Sequence, residues 1–203
     1  LTKGDAGDSP LFNRAVQGVY ELGSTFKIFT IGQALELGLV NVNTMIETKG
    51  PLVWGKYRIR DFHDYGKQLS VMDVIVKSSN IGTAHIAQMI GADRQQQFLK
   101  SLGFFDTVPI ELVEAPTGRP LLPPKWSEIS TMTISYGHGL SASPLHLAAA
   151  YATIANGGTK VTPTILKRTA PVSGERVLSA QTAGILREML RQVVLRGTAT
   201  FGE

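Results

Sequence analysis

The sequence predicts a mixed α/β (α+β) domain in which helices dominate and strands lie mostly at the margins. Several long segments space their apolar residues at helical intervals between capping residues, whereas only short stretches mix β-branched and aromatic residues as strands do. Hydrophobic residues make up 43% of the chain and charged residues 18%, which suits a packed core. A chain of 203 residues is long enough to form one such core.

Six segments are predicted to be helices, at 24–37, 71–78, 80–90, 93–103, 144–156 and 180–196. Three of them follow a serine that can accept a hydrogen bond from the first turn, namely Ser70, Ser143 and Ser179. The first helix stops at Gly38, and Gly157 follows the fifth. In the last helix the apolar residues keep helical spacing, at Leu186, Met189, Leu190, Val193 and Val194.

The remaining segments are short strands and loops. Residues 51–62, "PLVWGKYRIRDF", mix β-branched and aromatic residues with polar ones and are predicted to form short strands. Residues 159–169, "TKVTPTILKRT", are predicted to form a strand pair or a sheet edge. The Pro-rich stretch 115–124 is predicted to be a loop.

Composition excludes several classes of function. The net charge of +4 comes from Lys and Arg residues scattered along the chain, which argues against a nucleic-acid or membrane-surface patch. The absence of cysteine excludes disulfides and thiolate metal sites. The four histidines, His63, His85, His138 and His146, lack metal-ligand spacing, and we expect no metal. His138 in "YGHG" could lie near a cleft, although a structural role is equally consistent with its position.

Ser24 and Lys27 form the first candidate catalytic pair. Side chains three residues apart on a helix share a face, so the hydroxyl and the amine would point into one space. Lysine can activate a serine only when it is neutral, which near pH 7 requires its pKa to fall by roughly three units. Burial among the apolar residues of this segment could supply that fall. Alternatively, Lys27 could extend to solvent with its stem packed on the surface.

Ser78 and Asn80 form the second candidate pair, in "VKSSNIGTAHIA" between two predicted helices. A hydroxyl and an amide two residues apart can project to one side of an extended turn. Ser78 could relay a proton between Lys27 and a leaving amine, and Asn80 could bind both a substrate carbonyl and the lysine. Both residues are also preferred at helix N-caps, and a capping role for Asn80 stays open.

These motifs resemble those of a known family. Ser-x-x-Lys followed by Ser-x-Asn is the motif set of the penicillin-binding proteins and the serine β-lactamases. The segments "YELGSTFKIFTIGQALE", "VKSSNIGTAHIA" and "SYGHGLSASPLHLAAAYATIANGG" are similar to class B penicillin-binding proteins, most of all to the septal, division-type transpeptidases. The resemblance extends from about residue 11 to residue 200.

The resemblance implies a transpeptidase fold with a dominant helical part and an incomplete sheet, and a D,D-transpeptidase that cross-links peptidoglycan. Ser24 would attack the D-Ala–D-Ala carbonyl, Lys27 would be its general base, Ser78 would carry the proton to the leaving amine, and Asn80 would orient Lys27 and the substrate. β-Lactams would acylate Ser24, and neither a metal nor an organic cofactor is needed. Division or elongation proteins are the implied partners, at the periplasmic face of the bacterial inner membrane.

The third motif of the family, Lys-Thr-Gly on a strand, is not found in residues 1–203, where the letters "TKG" at 2–4 and 48–50 stand in another order. In the family this strand comes shortly after a segment like "LRGTAT", here 195–200. We therefore expect residues 1–203 to be a transpeptidase domain fragment that lacks the third-motif strand, the N-terminal membrane anchor and the non-catalytic module. Because one oxyanion donor is worth roughly 10²–10³ in rate, we expect poor activity from the fragment alone.

Two alternative functions stay open. A serine β-lactamase or a β-lactam sensor would share Ser24 and Lys27, but Glu111 and Glu114 are not followed by the asparagine of the class A water-activating loop. A non-catalytic scaffold for division proteins would use exposed apolar residues of the 179–196 helix, where core packing is the competing explanation. The lifetime of an acyl-enzyme would separate the transpeptidase from the hydrolase, and a Ser24→Ala variant that supports division would favour the scaffold.

Overall fold

A computed structural model of the chain describes residues 7, 9–170, 172 and 174–202. The domain predicted over residues 1–203 thus includes a few positions that lie outside the described residues. Helices form most of the regular structure, as predicted. They are α1 (Lys27–Glu36), α2 (Val71–Val76), α3 (Asn80–Ile90), α4 (Ala92–Ser101), α5 (Glu128–Ser135), α6 (Pro144–Ala155) and α7 (Ala180–Arg196). Single 3₁₀ turns span Gly23–Phe26, Ala115–Thr117 and Thr200–Gly202.

The strands are short and form antiparallel pairs. In the described part of the chain they are β1 (Tyr20–Glu21) with β6 (Ser141–Ala142), β2 (Met45–Glu47) with β5 (Gln68–Ser70), and β3 (Leu52–Trp54) with β4 (Tyr57–Ile59). The last pair lies within 51–62, where short strands are predicted, and it forms a hairpin. In register, Tyr20 lies opposite Ala142 and Glu21 opposite Ser141, so the residues just before the first 3₁₀ turn are tied to the segment before α6. The prediction of a helix-rich mixed domain is confirmed.

Capping serines begin the helices where the sequence predicts them. The side chains of Ser70, Ser143 and Ser179 accept hydrogen bonds from the backbone N–H groups three residues later. The first predicted helix differs at its start, because residues Gly23–Phe26 form a 3₁₀ turn and the α-helical hydrogen bonds begin at Lys27. Helices often begin with such a turn, and its tighter winding aligns side chains three residues apart.

The strand pair predicted within 159–169 is wrong. Thr159 makes one isolated bridge to Arg176, and the rest of the segment is irregular. The backbone N–H of Lys160 donates to the carbonyl of Glu175 at 2.8 Å, so the segment pairs with residues beyond it and not with itself. Pro163 has no N–H to donate, which prevents a regular ladder from continuing along the segment.

The core surrounds α1, which packs against α3, α7 and α2. Phe26, Phe29 and Phe104 are buried and meet edge to face, with ring centroids 5.0–5.6 Å apart. On α7, Leu186 and Met189 are fully buried, while Leu190 and Val193 pack against the same core. This apolar stripe therefore serves the core. Over the described residues, no helix has the length and apolar character that crossing a bilayer requires.

Candidate active site

Ser24 and Lys27 lie at the junction of the 3₁₀ turn and α1. The Nζ atom of Lys27 lies 3.0 Å from Ser24 Oγ. Ser24 is exposed, whereas Lys27 is 1% exposed. A hydroxyl at the surface therefore lies within hydrogen-bond distance of a buried amine. The predicted side-chain pair is thus formed. The alternative that Lys27 extends to solvent is wrong, because the side chain is buried and its amine contacts Ser24 and Ser78.

The turn between α2 and α3 supplies the other contacts of the amine. Lys27 Nζ lies 2.8 Å from Ser78 Oγ and donates to the Ser78 carbonyl oxygen at 2.6 Å. Ser78 has a φ of 60°, a left-handed backbone conformation that non-glycine residues seldom adopt. This conformation turns both the hydroxyl and the carbonyl of one residue toward the same amine. A strained residue at such a place is a feature typical of functional sites.

Burial lowers the pKa of Lys27 to about 8 from its ordinary value of 10.5, and the negative charge of Asp61 opposes part of that fall. At pH 7 roughly one lysine in ten is then neutral. Reaching the neutral form at this pH costs about 1.4 kcal/mol, whereas an ordinary lysine would need about 4.8 kcal/mol. The fall is smaller than the three units that the sequence argument requires, but it makes the neutral amine accessible.

The contacts of Lys27 determine what a neutral amine would do. The Ser78 carbonyl can only accept a hydrogen bond. One N–H of the amine therefore donates to it whether Lys27 is protonated or neutral. A neutral amine has two N–H groups and one lone pair, and one of the two neighbouring hydroxyls must then donate to that lone pair. If Ser24 donates, its proton points at Nζ and its oxygen is ready to attack an electrophile.

Asn80 does not make the contact expected of it. Among the described residues, no hydrogen bond joins it to Lys27, and its side-chain amide instead donates to the Arg60 carbonyl at 2.9 Å. Nor does Asn80 cap a helix, because Ser79 is the N-cap of α3 and accepts from the Gly82 N–H. Asn80 begins the helix, where the amide lies close to the Ser78 turn without touching the amine.

The sequence argument missed Asp61, which holds the start of α3. Its carboxylate accepts hydrogen bonds from Ser79 Oγ at 2.7 Å, from the Asn80 N–H at 2.6 Å and from the Ile81 N–H at 3.0 Å. Asp61 follows the β3–β4 hairpin and lies about twenty positions before the turn that it contacts. Spacing in the sequence gives no signal of such a contact.

The loop after α5 backs the Ser24 turn. The sequence indicates that His138 of this loop could lie near a cleft, but it does not predict the loop's contacts. The Gly23 N–H donates to the Gly137 carbonyl at 3.1 Å. Two residues earlier, the Glu21 carboxylate accepts from the Gly139 N–H at 2.7 Å and lies 3.1 Å from His138 Nδ1. The hydrogen bonds from Gly139 and His138 lower the pKa of Glu21. His138 therefore lies beside the segment that leads to Ser24.

The other histidines have structural contacts or none near this site. His146 closes a capping box with Ser143, and its Nε2 atom lies 2.8 Å from the Asp106 carbonyl. Burial lowers its pKa, so it is neutral near pH 7. Across the ranges that the structure describes, no cluster of three or more His, Asp or Glu side chains could hold a metal ion.

Glu111 and Glu114 join loops at the surface. Glu111 accepts from Thr164 Oγ1 at 2.7 Å and from the Ile165 N–H at 3.1 Å. Glu114 accepts from the Asn13 side-chain amide at 2.9 Å. These bonds lower the pKa of both carboxyl groups, so both are ionised and engaged with other loops.

The chain is similar to known proteins over nearly its whole length. Residues 2–203 match the family model for the penicillin binding protein transpeptidase domain. The chain is 36% identical over 202 residues to a probable peptidoglycan D,D-transpeptidase FtsI of Caulobacter vibrioides, covering 98% of this chain and 34% of that protein. It is 32% identical over 185 residues to peptidoglycan D,D-transpeptidase FtsI of Escherichia coli K12, covering 91% and 31%. It spans about a third of the length of such relatives.

Solved structures share the fold. The TP domain of penicillin-binding protein 3 from Burkholderia pseudomallei superposes with a TM-score of 0.85 at 37% identity, over 91% of this chain and 57% of that one. Penicillin binding protein 3 from Mycobacterium tuberculosis, solved in complex with aztreonam, superposes with a TM-score of 0.82 at 32% identity, over 93% and 44%. With the family match over nearly every residue, this chain belongs to the penicillin-binding protein transpeptidase domain family, in its class B branch.

Proposed function

We propose that the chain performs serine acyl transfer for a peptidoglycan D,D-transpeptidase of cell division. The observation that carries this proposal is the position of the buried Lys27, whose Nζ lies 3.0 Å from Ser24 Oγ and 2.8 Å from Ser78 Oγ. A nucleophile, a base within hydrogen-bond reach and a third group that orients the base are the parts that covalent acyl transfer needs. Relatives named peptidoglycan D,D-transpeptidase support the choice of substrate.

In the first half-reaction, Ser24 Oγ attacks the carbonyl carbon of the D-Ala–D-Ala bond while its proton moves to neutral Lys27. The positive end of the 3₁₀ turn and α1 favours the negative charge that develops on the carbonyl oxygen. The C–N bond then breaks, and the leaving amine takes a proton that the Ser78 hydroxyl passes on from Lys27. The products are a Ser24 ester and free D-Ala.

In the second half-reaction, an amine of a neighbouring stem peptide attacks the ester carbonyl and loses a proton to neutral Lys27. The ester C–O bond breaks, and Ser24 Oγ regains its proton through the lysine. The new amide bond joins two stem peptides, and the enzyme returns to its starting state. Asn80, at the start of α3 beside the turn, would direct its amide toward the substrate rather than toward Lys27.

The proposed location of the protein follows from where its proposed substrate lies. Stem peptides lie outside the cytoplasmic membrane, so we place the protein at the periplasmic face of the inner membrane, with division proteins as partners. β-Lactams, which mimic the terminal dipeptide, would form the same ester and block the site.

Mass spectrometry after penicillin treatment tests the proposal. In the full-length protein, we expect one penicilloyl adduct, located on the peptide that contains Ser24, and none in a Ser24→Ala variant. The matched control is Ser9→Ala. Ser9 is also near the surface and precedes the 3₁₀ turn that contains Ser24, and its loss should leave the adduct on Ser24 unchanged. An adduct that persists for many minutes supports a transpeptidase. Rapid release of hydrolysed penicillin would instead assign a β-lactamase, and an adduct on another residue would overturn the proposed nucleophile.

A further inference from the structure

The Asp61 carboxylate has contacts that the acyl-transfer scheme does not use. It follows β4, is partly buried, and accepts three hydrogen bonds from the segment that begins α3. Two of the donors are the backbone N–H groups of Asn80 and Ile81, which have no partner within the helix. The third is Ser79 Oγ, whose single proton goes to Asp61 while its lone pairs accept from the Gly82 N–H.

These contacts fix a turn that has little freedom left. The end of α2 holds Ser78 and Ser79 by hydrogen bonds from their N–H groups to the carbonyls of Ile75, at 3.1 Å, and Val74, at 2.9 Å. Asp61 fixes the other side of the turn. Ser78, the residue between these two anchors, has the left-handed φ of 60° and turns both of its oxygens toward Lys27. Without a clamp on the α3 side, the backbone of Ser78 could relax and move these oxygens.

We propose that Asp61 is a positioning residue of the acyl-transfer site: its carboxylate clamps the turn that presents Ser78 to Lys27, and its charge acts on the same amine. The inference rests on the proposed function. Asp61 has two opposite effects on acyl transfer. Its hydrogen bonds improve the geometry of the proton relay, whereas its negative charge favours the protonated, inactive form of Lys27. Asp61 raises the pKa of Lys27, against the lowering by burial.

Other charged or titratable side chains lie near Asp61, and Arg60, His63, Asp64 and Lys67 line one cavity with it. Tyr65 donates to the Lys77 carbonyl at 2.9 Å, and the Lys77 ammonium lies 5.7 Å from the Tyr65 ring centroid. Burial and the Asp61 charge raise the pKa of Tyr65, which is thus neutral through the working pH range. On the far side of Ser24, Glu21 and His138 pair with each other. Among the charged groups of the described residues, Asp61 is the one that raises the pKa of Lys27.

Two substitutions separate the clamp from the charge. Asp61→Asn keeps an oxygen for the Asn80 and Ile81 N–H groups but removes the charge, whereas Asp61→Ala removes both. We expect Asp61→Asn to shift the rising limb of the pH profile for Ser24 acylation downward by about 0.5 pH unit and to keep the plateau rate within roughly threefold. We expect Asp61→Ala to lower the plateau rate by about tenfold or more, because the relay is displaced.

Asp64→Asn is the matched control. Asp64 lies in the same loop and lines the same cavity of about 450 Å³, but its carboxylate accepts from the Gly66 N–H, and within the described part of the chain no hydrogen bond joins it to the turn. We expect its pH profile to match that of the wild type. An Asp61→Asn profile that coincides with the wild-type profile, or an Asp61→Ala variant that keeps the full plateau rate, would overturn the inference.

A second test does not depend on activity. The pKa of Lys27 is measured without any penicillin, by an NMR titration of the side-chain carbon next to Nζ. The Lys27 signal is assigned by its loss in Lys27→Met. A lower midpoint in folded Asp61→Asn than in the wild type supports the inference, and equal midpoints overturn it. If the wild type shows no Ser24 adduct at all, the proposed function fails, while the titration still decides whether Asp61 acts on the amine.

Discussion

Lys27→Met is expected to lower the rate constant for acylation of Ser24 by penicillin by about 10²–10⁴, because it removes the base and leaves the hydroxyl in place. Met has a similar length and suits the apolar surroundings of α1, so the packing around Phe26 and Phe29 should survive. The measurement is the second-order rate constant with a fluorescent penicillin at pH 8, on the full-length protein.

Lys77→Met is the control for this experiment. Lys77 precedes Ser78 directly, but it is exposed, and its ammonium lies over the Tyr65 ring. Its loss should change the acylation rate by less than about twofold. A Lys27→Met protein that is folded by circular dichroism yet acylates within tenfold of the wild type would show that another group takes the serine proton.

Gly137→Ala is expected to give the second largest effect, on both stability and acylation. Gly137 has a φ of +88°, and a Cβ atom there would lie 2.0 Å from the Gly23 carbonyl oxygen and 2.4 Å from the Gly23 nitrogen. Because both neighbours are backbone atoms, the Ser24 turn itself must move. Strain and displacement together cost about 3 kcal/mol, and acylation should fall by more than about tenfold. Urea unfolding and acylation kinetics measure the two effects.

Gly139→Ala distinguishes backbone strain from the clash. Gly139 lies in the same loop with a similar φ of +85°, but the nearest atom to an added Cβ would be Thr133 Oγ1 at 3.4 Å. We expect a loss of about 1 kcal/mol in the free energy of unfolding and little change in acylation per folded molecule. If the two variants lose acylation equally, the contact between Gly137 and Gly23 does not position Ser24.

Much of the fold could be predicted because its signals are local. Ser70, Ser143 and Ser179 cap their helices within three residues of themselves, so a single sequence contains both partners of each bond. The 159–169 segment had strand-like composition but no partner nearby, and its pairing with residue 175 depends on the folded chain. Composition alone could not show where a segment with Pro163 finds its partner.

In the candidate site, too, some contacts could be predicted from the sequence and others depend on the folded chain. The Ser24–Lys27 contact follows from the three-residue spacing, and the approach of Ser78 follows from the family's motif order. The burial that lowers the pKa of Lys27 comes from the whole core around α1. The contacts of Asp61 with α3 join residues 18 to 20 positions apart, and those of Gly139 with Glu21 join residues 118 apart. No spacing rule reaches that far. The contact of Asn80 with Lys27 was expected from the family's motif order alone, and the side-chain amide donates to the Arg60 carbonyl instead.

The pH dependence of Ser24 acylation tests the central claim, that a buried lysine loses its proton to activate the serine. Burial lowers the pKa of Lys27 to about 8, so the neutral, active form accumulates as the pH rises. The rate constant should rise about tenfold per pH unit below the midpoint, reach half its maximum near pH 8 and level off above roughly pH 9. A rate that is already maximal at pH 6, or one that falls between pH 6 and 8, would contradict the account.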